Sequence, residues 1–145
     1  MLETLVQAAR RALGRPDLGL AAVDAAVLRV LPPGPLTLRP TITHTPDGCA
    51  VAADGVAVRC ARGAADAYPA TFVLAAFARA CSGPGPAEPL ALRGVAVRGA
   101  ARPGQVLAHR ATARPDGSIT GWTGVGGRRV LTVDRFAPGE AATTG

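Results

Sequence analysis

One stretch constrains the fold more than any other: Asp66-Ala-Tyr-Pro-Ala-Thr-Phe-Val-Leu-Ala-Ala-Phe-Ala-Arg-Ala-Cys-Ser-Gly83. Phe72, Val73, Ala76, Phe77 and Ala80 recur at helical spacing. Pro69 suits a first turn, where a missing N–H costs nothing. Ser82-Gly83-Pro84-Gly85-Pro86 stops the helix sharply. Between Tyr68 and Ser82 the only charge is Arg79. So apolar a helix must be covered on nearly every side, and the segments left to cover it read as strands. The spacing predicts an α+β fold: one long central helix, about 69–82, wrapped by an antiparallel sheet.

Residues 2–13 form an amphipathic helix, with Leu2, Leu5, Val6, Ala9 and Leu13 on one side and Arg10 and Arg11 in its last turn. Gly14-Arg-Pro16 ends it. Residues 17–30 are again apolar and Ala-rich and read as a second helix capped by Asp17, giving an N-terminal helical extension over 1–30. From Leu36 the pattern alternates. A strand is expected over 36–45, bent at Pro40, and another over 49–58 with a turn or bulge at Asp54-Gly55. Pro46-Asp-Gly48 and Pro115-Asp-Gly117 are strong turn signals: Pro presets φ and Gly takes positive φ. Further strands are expected over 90–100, 105–114, 119–125 and 130–136, with turns at Arg102-Pro-Gly104 and Gly126-Gly127. The core then spans about 31–137, followed by a frayed tail over 138–145. The chain reads as one domain with no internal repeat.

At 145 residues the chain can bury roughly 68–70% of its unfolded surface and needs no disulfides. Cys49, Cys60 and Cys81 are odd in number and lack metal-ligand spacing, which points to reduced thiols, a cytoplasmic location and no metal or cofactor. Glu3, the lack of an early basic run and the absence of an 18-residue apolar run argue against a signal peptide and a membrane span. Net charge is +6, and all sixteen basic residues are Arg. Only Tyr68, Trp122 and three Phe could stack on bases, so nucleic acid is not the expected partner. An acidic protein or a phosphate-bearing substrate suits the charge better.

Four segments carry a family likeness. Leu31-Pro-Pro-Gly-Pro-Leu-Thr-Leu38 resembles the leucine-proline-histidine opening of the 3-hydroxyacyl-ACP dehydratases of the hotdog fold. Pro69-Ala-Thr-Phe-Val-Leu-Ala-Ala-Phe-Ala-Arg-Ala80 resembles their central helix. Arg102-Pro-Gly-Gln-Val-Leu107 resembles the proline-glycine turn before a long strand, and residues 122–136 resemble the closing strands. The resemblance implies a hotdog that pairs edge to edge with a second hotdog, as a homodimer or a heterodimer. It implies an acyl tunnel at that interface, filled by a chain on the phosphopantetheine arm of an acyl carrier protein. It also implies a histidine and a carboxylic acid, one from each subunit, that eliminate water.

The departures fall on the chemistry. The family's acid position is Ala75, and its loop histidine falls within Cys60-Ala61-Arg62-Gly63, at Ala61. Asp66, Tyr68 and His109 are the remaining candidates for proton transfer. Each has a plainer role: Asp66 as a helix cap, Tyr68 as a wall residue and His109 as a hydrogen-bonded strand residue. His44 reads as surface and Cys60 as a buried thiol. Tyr68, Phe72 and Ala75 are expected to line the tunnel, and Arg93, Arg98 and Arg102 to receive the carrier protein or its phosphate. The expected function is a dehydratase-like subunit of a fatty-acid or type II polyketide (polyene included) pathway, the catalytically degenerate half of a heterodimer. The alternatives are a stand-alone hotdog thioesterase, isomerase or cyclase, and a non-catalytic acyl- or carrier-binding module.

Overall fold

The computed structural model describes residues 2–28, 39–53, 55–64, 66–82 and 90–138. Residues 31–38, which carry the opening motif, lie outside these, as do Asp54, Pro84-Gly85-Pro86 and the tail from residue 139. The architecture is α+β: one eight-stranded antiparallel sheet and two helices. Helix α1 (Leu2–Leu13) buries Leu2, Leu5, Val6 and Ala9, the apolar side read from the sequence. Its Arg10 donates from Nε to the Leu18 carbonyl at 2.6 Å, which fixes the chain where it leaves the helix.

Strand β1 (Leu18–Leu28) occupies most of the stretch expected to be a second helix. The expectation fails for a physical reason. Against its neighbour β4 (Val56–Arg62), β1 carries two irregularities, at Ala21 and Asp24, that break the period of two. Its buried residues therefore fall at Leu18, Leu20, Val23 and Ala26, steps of about three that imitate one face of a helix. The strand-like stretch 49–58 forms two strands, β3 (Gly48–Ala53) and β4, with the expected turn falling at Gly55. Of the strand expected over 36–45, residues 36–38 lie outside the described residues, and the edge strand β2 (Thr41–His44) is mostly exposed. A four-residue edge with Pro40 before it offers little template for edge-to-edge aggregation.

Helix α2 (Ala70–Ser82) follows, then β5 (Leu90–Val97), β6 (Ala108–Ala113), β7 (Ile119–Val125) and β8 (Arg128–Pro138). The sheet is not wrapped around one long central helix. Helix α1 packs on β1 and β3, α2 packs on β8, β1, β6 and β7, and both feed a single core cluster. The helices also meet directly, Thr71 Oγ1 donating to Glu3 at 2.6 Å. Phe77 anchors α2. It is fully buried, its ring edge-on to Phe136 at 6.2 Å and to His109 at 6.1 Å.

The strand order is β2-β3-β4-β1-β5-β8-β7-β6. Split between β1 and β5, it is the same unit written twice. In each half a helix is followed by a strand at the centre, a second strand at the outer edge, and two strands that return inward. The turns repeat too. Pro46-Asp47-Gly48 joins β2 to β3, and Pro115-Asp116-Gly117 joins β6 to β7. The repeat is thus one of strand order, which no repeat along the sequence announced, with β1 and β5 antiparallel at the centre. The likeness is one of topology and turns rather than side chains, which is why it stays hidden along the sequence.

The second Pro-Asp-Gly turn is the better built. Asp116 Oδ1 accepts from the Ser118 amide at 2.9 Å and its hydroxyl at 2.6 Å, and these bonds, Ser118's hydroxyl first, hold the carboxyl below its ordinary range. Such stabilisation is full above the unfolded pKa, about 3.9, and disappears as pH falls through the depressed folded value. Asp116→Ala is expected to lower Tm at pH 7, with the gap to the parent protein closing as pH falls below the unfolded value and through the depressed folded one. Phe77→Ala is expected to cost about 3–5 kcal/mol. Because the core is continuous, its chemical denaturation should still show one transition by both tryptophan fluorescence and far-ultraviolet circular dichroism.

Candidate functional site

The two halves leave a cavity of about 660 Å3 where they meet. It lies at the start of β1, the ends of β4 and β5, and the first turn of α2. Backbone bonds close its frame: Gly63 N to Asp17 O at 2.8 Å, Tyr68 N to Ala101 O at 2.8 Å, and Arg98 N to Val130 O at 2.8 Å. Its inner wall is apolar, with Leu18, Leu20, Val73, Ala101 and Leu131 almost wholly buried behind it. Its polar lining residues are Arg10, Asp17, Arg62, Tyr68 and Arg98.

These groups differ in how free they are. Arg10 is committed to the Leu18 carbonyl and lies 3.5 Å from Glu3. Asp17 pairs with Arg15 at 3.1 Å, and the hydrogen bonds from Arg15 hold its carboxyl below the ordinary range. It therefore stays ionised near neutral pH and makes a poor general acid. Arg62 and Arg98 are exposed, and neither forms an ion pair among the described residues. The cavity thus combines an apolar interior with cationic groups, which fits a ligand with an apolar chain and an anionic head.

Of the residues singled out from sequence, Tyr68, Ala61 and Arg98 line this cavity. Tyr68 is 39% exposed and stacks on Phe72 at 5.3 Å. Phe72, 55% exposed, and Ala75 lie on the outward side of α2 and are not part of the cavity wall. Asp66 is exposed, holds a left-handed backbone with φ 55°, and precedes the helix by four residues. The first-turn amides of Phe72 and Val73 instead find the Pro69 carbonyl, so the cap expected of Asp66 is not made. Arg93 sits on β5 opposite Arg135, and Arg102 lies in the crossing loop with its amide on Gln105; neither lines the cavity.

His109 is elsewhere, beneath α2. Its Nδ1 lies 2.8 Å from Thr123 Oγ1, and its ring meets Phe77. Burial lowers its pKa, so the ring is neutral at pH 7, and no carboxylate is hydrogen-bonded to it among the described residues. Cys49 and Cys60 face each other across β3 and β4 and are buried. Burial, with Cys49 beside it, pushes the Cys60 thiol up to about 12, which rules it out as a thiolate nucleophile at neutral pH. Among the described residues no group of three His, Cys, Asp or Glu is placed to hold a metal ion, and no helix is long and apolar enough to cross a membrane.

Sequence reasoning missed Arg10, Asp17 and Arg62. No local signal could have found them, because they become neighbours only once residues 18–28 are a strand between β4 and β5. Comparison with protein-family models, with curated proteins and with solved structures finds no match to this chain.

The thiols give a direct check on this packing. Iodoacetamide at pH 8 should leave Cys49 and Cys60 unmodified in the native protein. Only the half-buried Cys81 should react, slowly, because burial raises its pKa as well. Intact-mass analysis should show at most one adduct before denaturation and three after it.

Proposed function

We propose that this chain is a dehydratase-like hotdog protein in which two short halves are already joined edge to edge. It holds a 3-hydroxyacyl chain delivered by an acyl carrier protein and takes part in its dehydration without supplying the proton-transfer pair. The observation that carries this reading is the apolar cavity with cationic groups at the seam of the halves, with a methyl group, Ala61, at the family's histidine position. The resemblance places the family's acyl tunnel at an edge-to-edge seam, and the β1–β5 seam is one within a single chain. An acyl chain would lie against Leu20, Val73 and Leu131, with the phosphate of the pantetheine arm near Arg62 and Arg98.

The missing pair assigns the chemistry to a second protein. That partner cannot add to the sheet at β1 or β5, which occupy each other, so it meets this chain elsewhere. The pathway is of the fatty-acid or type II polyketide kind. A second reading, a purely acyl-binding module, is favoured by the same two alanines, Ala61 and Ala75, and differs only in needing no catalytic partner.

Isothermal titration with 3-hydroxydecanoyl-phosphopantetheine tests the proposal. The expected result is micromolar binding, about −8 kcal/mol, that weakens at least tenfold (~1.4 kcal/mol) in Ala70→Trp, which fills the cavity beside the first turn of α2. Arg62→Glu should weaken the phosphorylated ligand more than its dephosphorylated analogue. Dehydration should be undetectable with this chain alone. Equal binding by Ala70→Trp, or turnover by the isolated protein, would overturn the reading. Binding with no rate gain from any co-purifying hotdog protein would favour the acyl-binding module.

A further inference from the structure

The face of the sheet turned away from the helices carries a second groove, of about 630 Å3, confined to the second half. Its orientation follows from alternation along β7. A Cβ on Gly121 would lie 3.0 Å from Phe77, and Thr123 is buried against His109, so both point toward α2. Trp122 between them points outward. Across the strands Arg110 stands opposite Trp122, Trp122 opposite Thr132, and Thr112 opposite Thr120. Three arginines, Arg98, Arg110 and Arg129, line this groove.

The cations are placed rather than scattered. The Trp122 ring lies over Gly124, where a Cβ would come within 2.6 Å of the ring. The Arg129 guanidinium carbon sits 4.9 Å from the ring centroid, a cation–π contact that fixes the arginine over the groove. Arg98 Nε reaches the Thr132 hydroxyl at 3.4 Å. None of the three forms an ion pair among the described residues, and the groove's one carboxylate, Asp134, is turned to Arg114 at 3.4 Å. The first half provides an internal comparison. The cross-strand row from Thr132 through Ala96 and Ala22 reaches Arg59, and that arginine is neutralised by two bonds to Asp24, 3.1 and 2.7 Å. In the second half Asp134 is taken by Arg114, which leaves Arg98, Arg110 and Arg129 without an ion pair among the described residues.

We propose that this groove binds a phosphoryl group bearing two or more negative charges. Donors approach from three strands rather than from one plane: Arg110 on β6, Arg129 on β8 and Arg98 at the end of β5, with threonine hydroxyls on the floor. That arrangement suits a tetrahedral anion better than a planar carboxylate. The site shares Arg98 with the seam cavity, but its other cations lie outside that cavity and it does not depend on the acyl-binding reading.

Trp122 is the chain's only tryptophan, so its fluorescence reports on this groove. Titration with inorganic pyrophosphate should change its emission saturably, with a Kd below ~1 mM that rises with salt, and acetate at equal ionic strength should not. Calorimetry should give the same Kd. Arg110→Gln should weaken pyrophosphate at least tenfold, while Arg59→Gln and the cavity-filling Ala70→Trp leave it unchanged. Adenosine 5′-diphosphate in a parallel arm separates the sources: tighter binding than pyrophosphate identifies a nucleotide-borne phosphate, and equal or weaker binding identifies a free or otherwise esterified one. No saturation, equal loss in Arg59→Gln, or unchanged binding by Arg110→Gln would overturn the proposal.

Discussion

The antiparallel pairing of β1 with β5 is the contact on which the rest of the structure depends. Six residue pairs, from Ala22–Ala96 to Leu28–Leu90, join two halves that otherwise run as separate hairpin sets. Without it each half would expose a bare strand at the middle of the sheet and half of a core. With it, Val23 and Val95 lie side by side, and Leu5, Phe77, Leu131 and Phe136 belong to one cluster. The two helices can then cover one face of the same sheet. Such a design does not need a second copy of the chain to complete its centre.

The seam has a geometric consequence. Strands that twist apart at the end of a sheet leave a wedge-shaped gap between the helix layer and the strand ends, and the connections into α2 and out of β5 must cross it. Here small residues make the crossing, Gly63 and Ala64 on one side and Gly99, Ala100 and Ala101 on the other. A bulkier lining would fill the gap. The small one leaves a cavity with Leu20 and Leu131 behind it and arginines among its walls. The outer face of the second half follows the same economy of size: Gly94 and Gly124 approach Asp134 and Trp122 so closely that neither could carry a side chain, and Trp122 lies flat where Arg129 can sit on it.

The two halves share a strand order and differ in charge. The first half pairs its outer arginine, Arg59, with Asp24, whereas the second leaves three arginines on that face without a carboxylate partner among the described residues. An exposed pair such as Arg59–Asp24 contributes little to stability. What it does change is the local field around Arg59.

What the sequence by itself determined is local. Helix α1 and helix α2 follow from the spacing of Leu5 and Val6 and of Val73 and Phe77. The Pro-Asp-Gly turns follow from a ring that fixes φ and a glycine free to reverse it, and β7 falls on the residues where alternation places it. Tertiary structure alone decided the state of residues 18–28, because irregular pairing with β4 spaces the inward side chains like a helix, and a strand's hydrogen bonds lie on other strands. It alone decided the pairing of the halves, which is written in no residue type, and therefore the cavity. Arg10, Asp17, Arg62, Tyr68 and Arg98 come from five separate stretches, and only the register of β1 against both β4 and β5 brings them to one place.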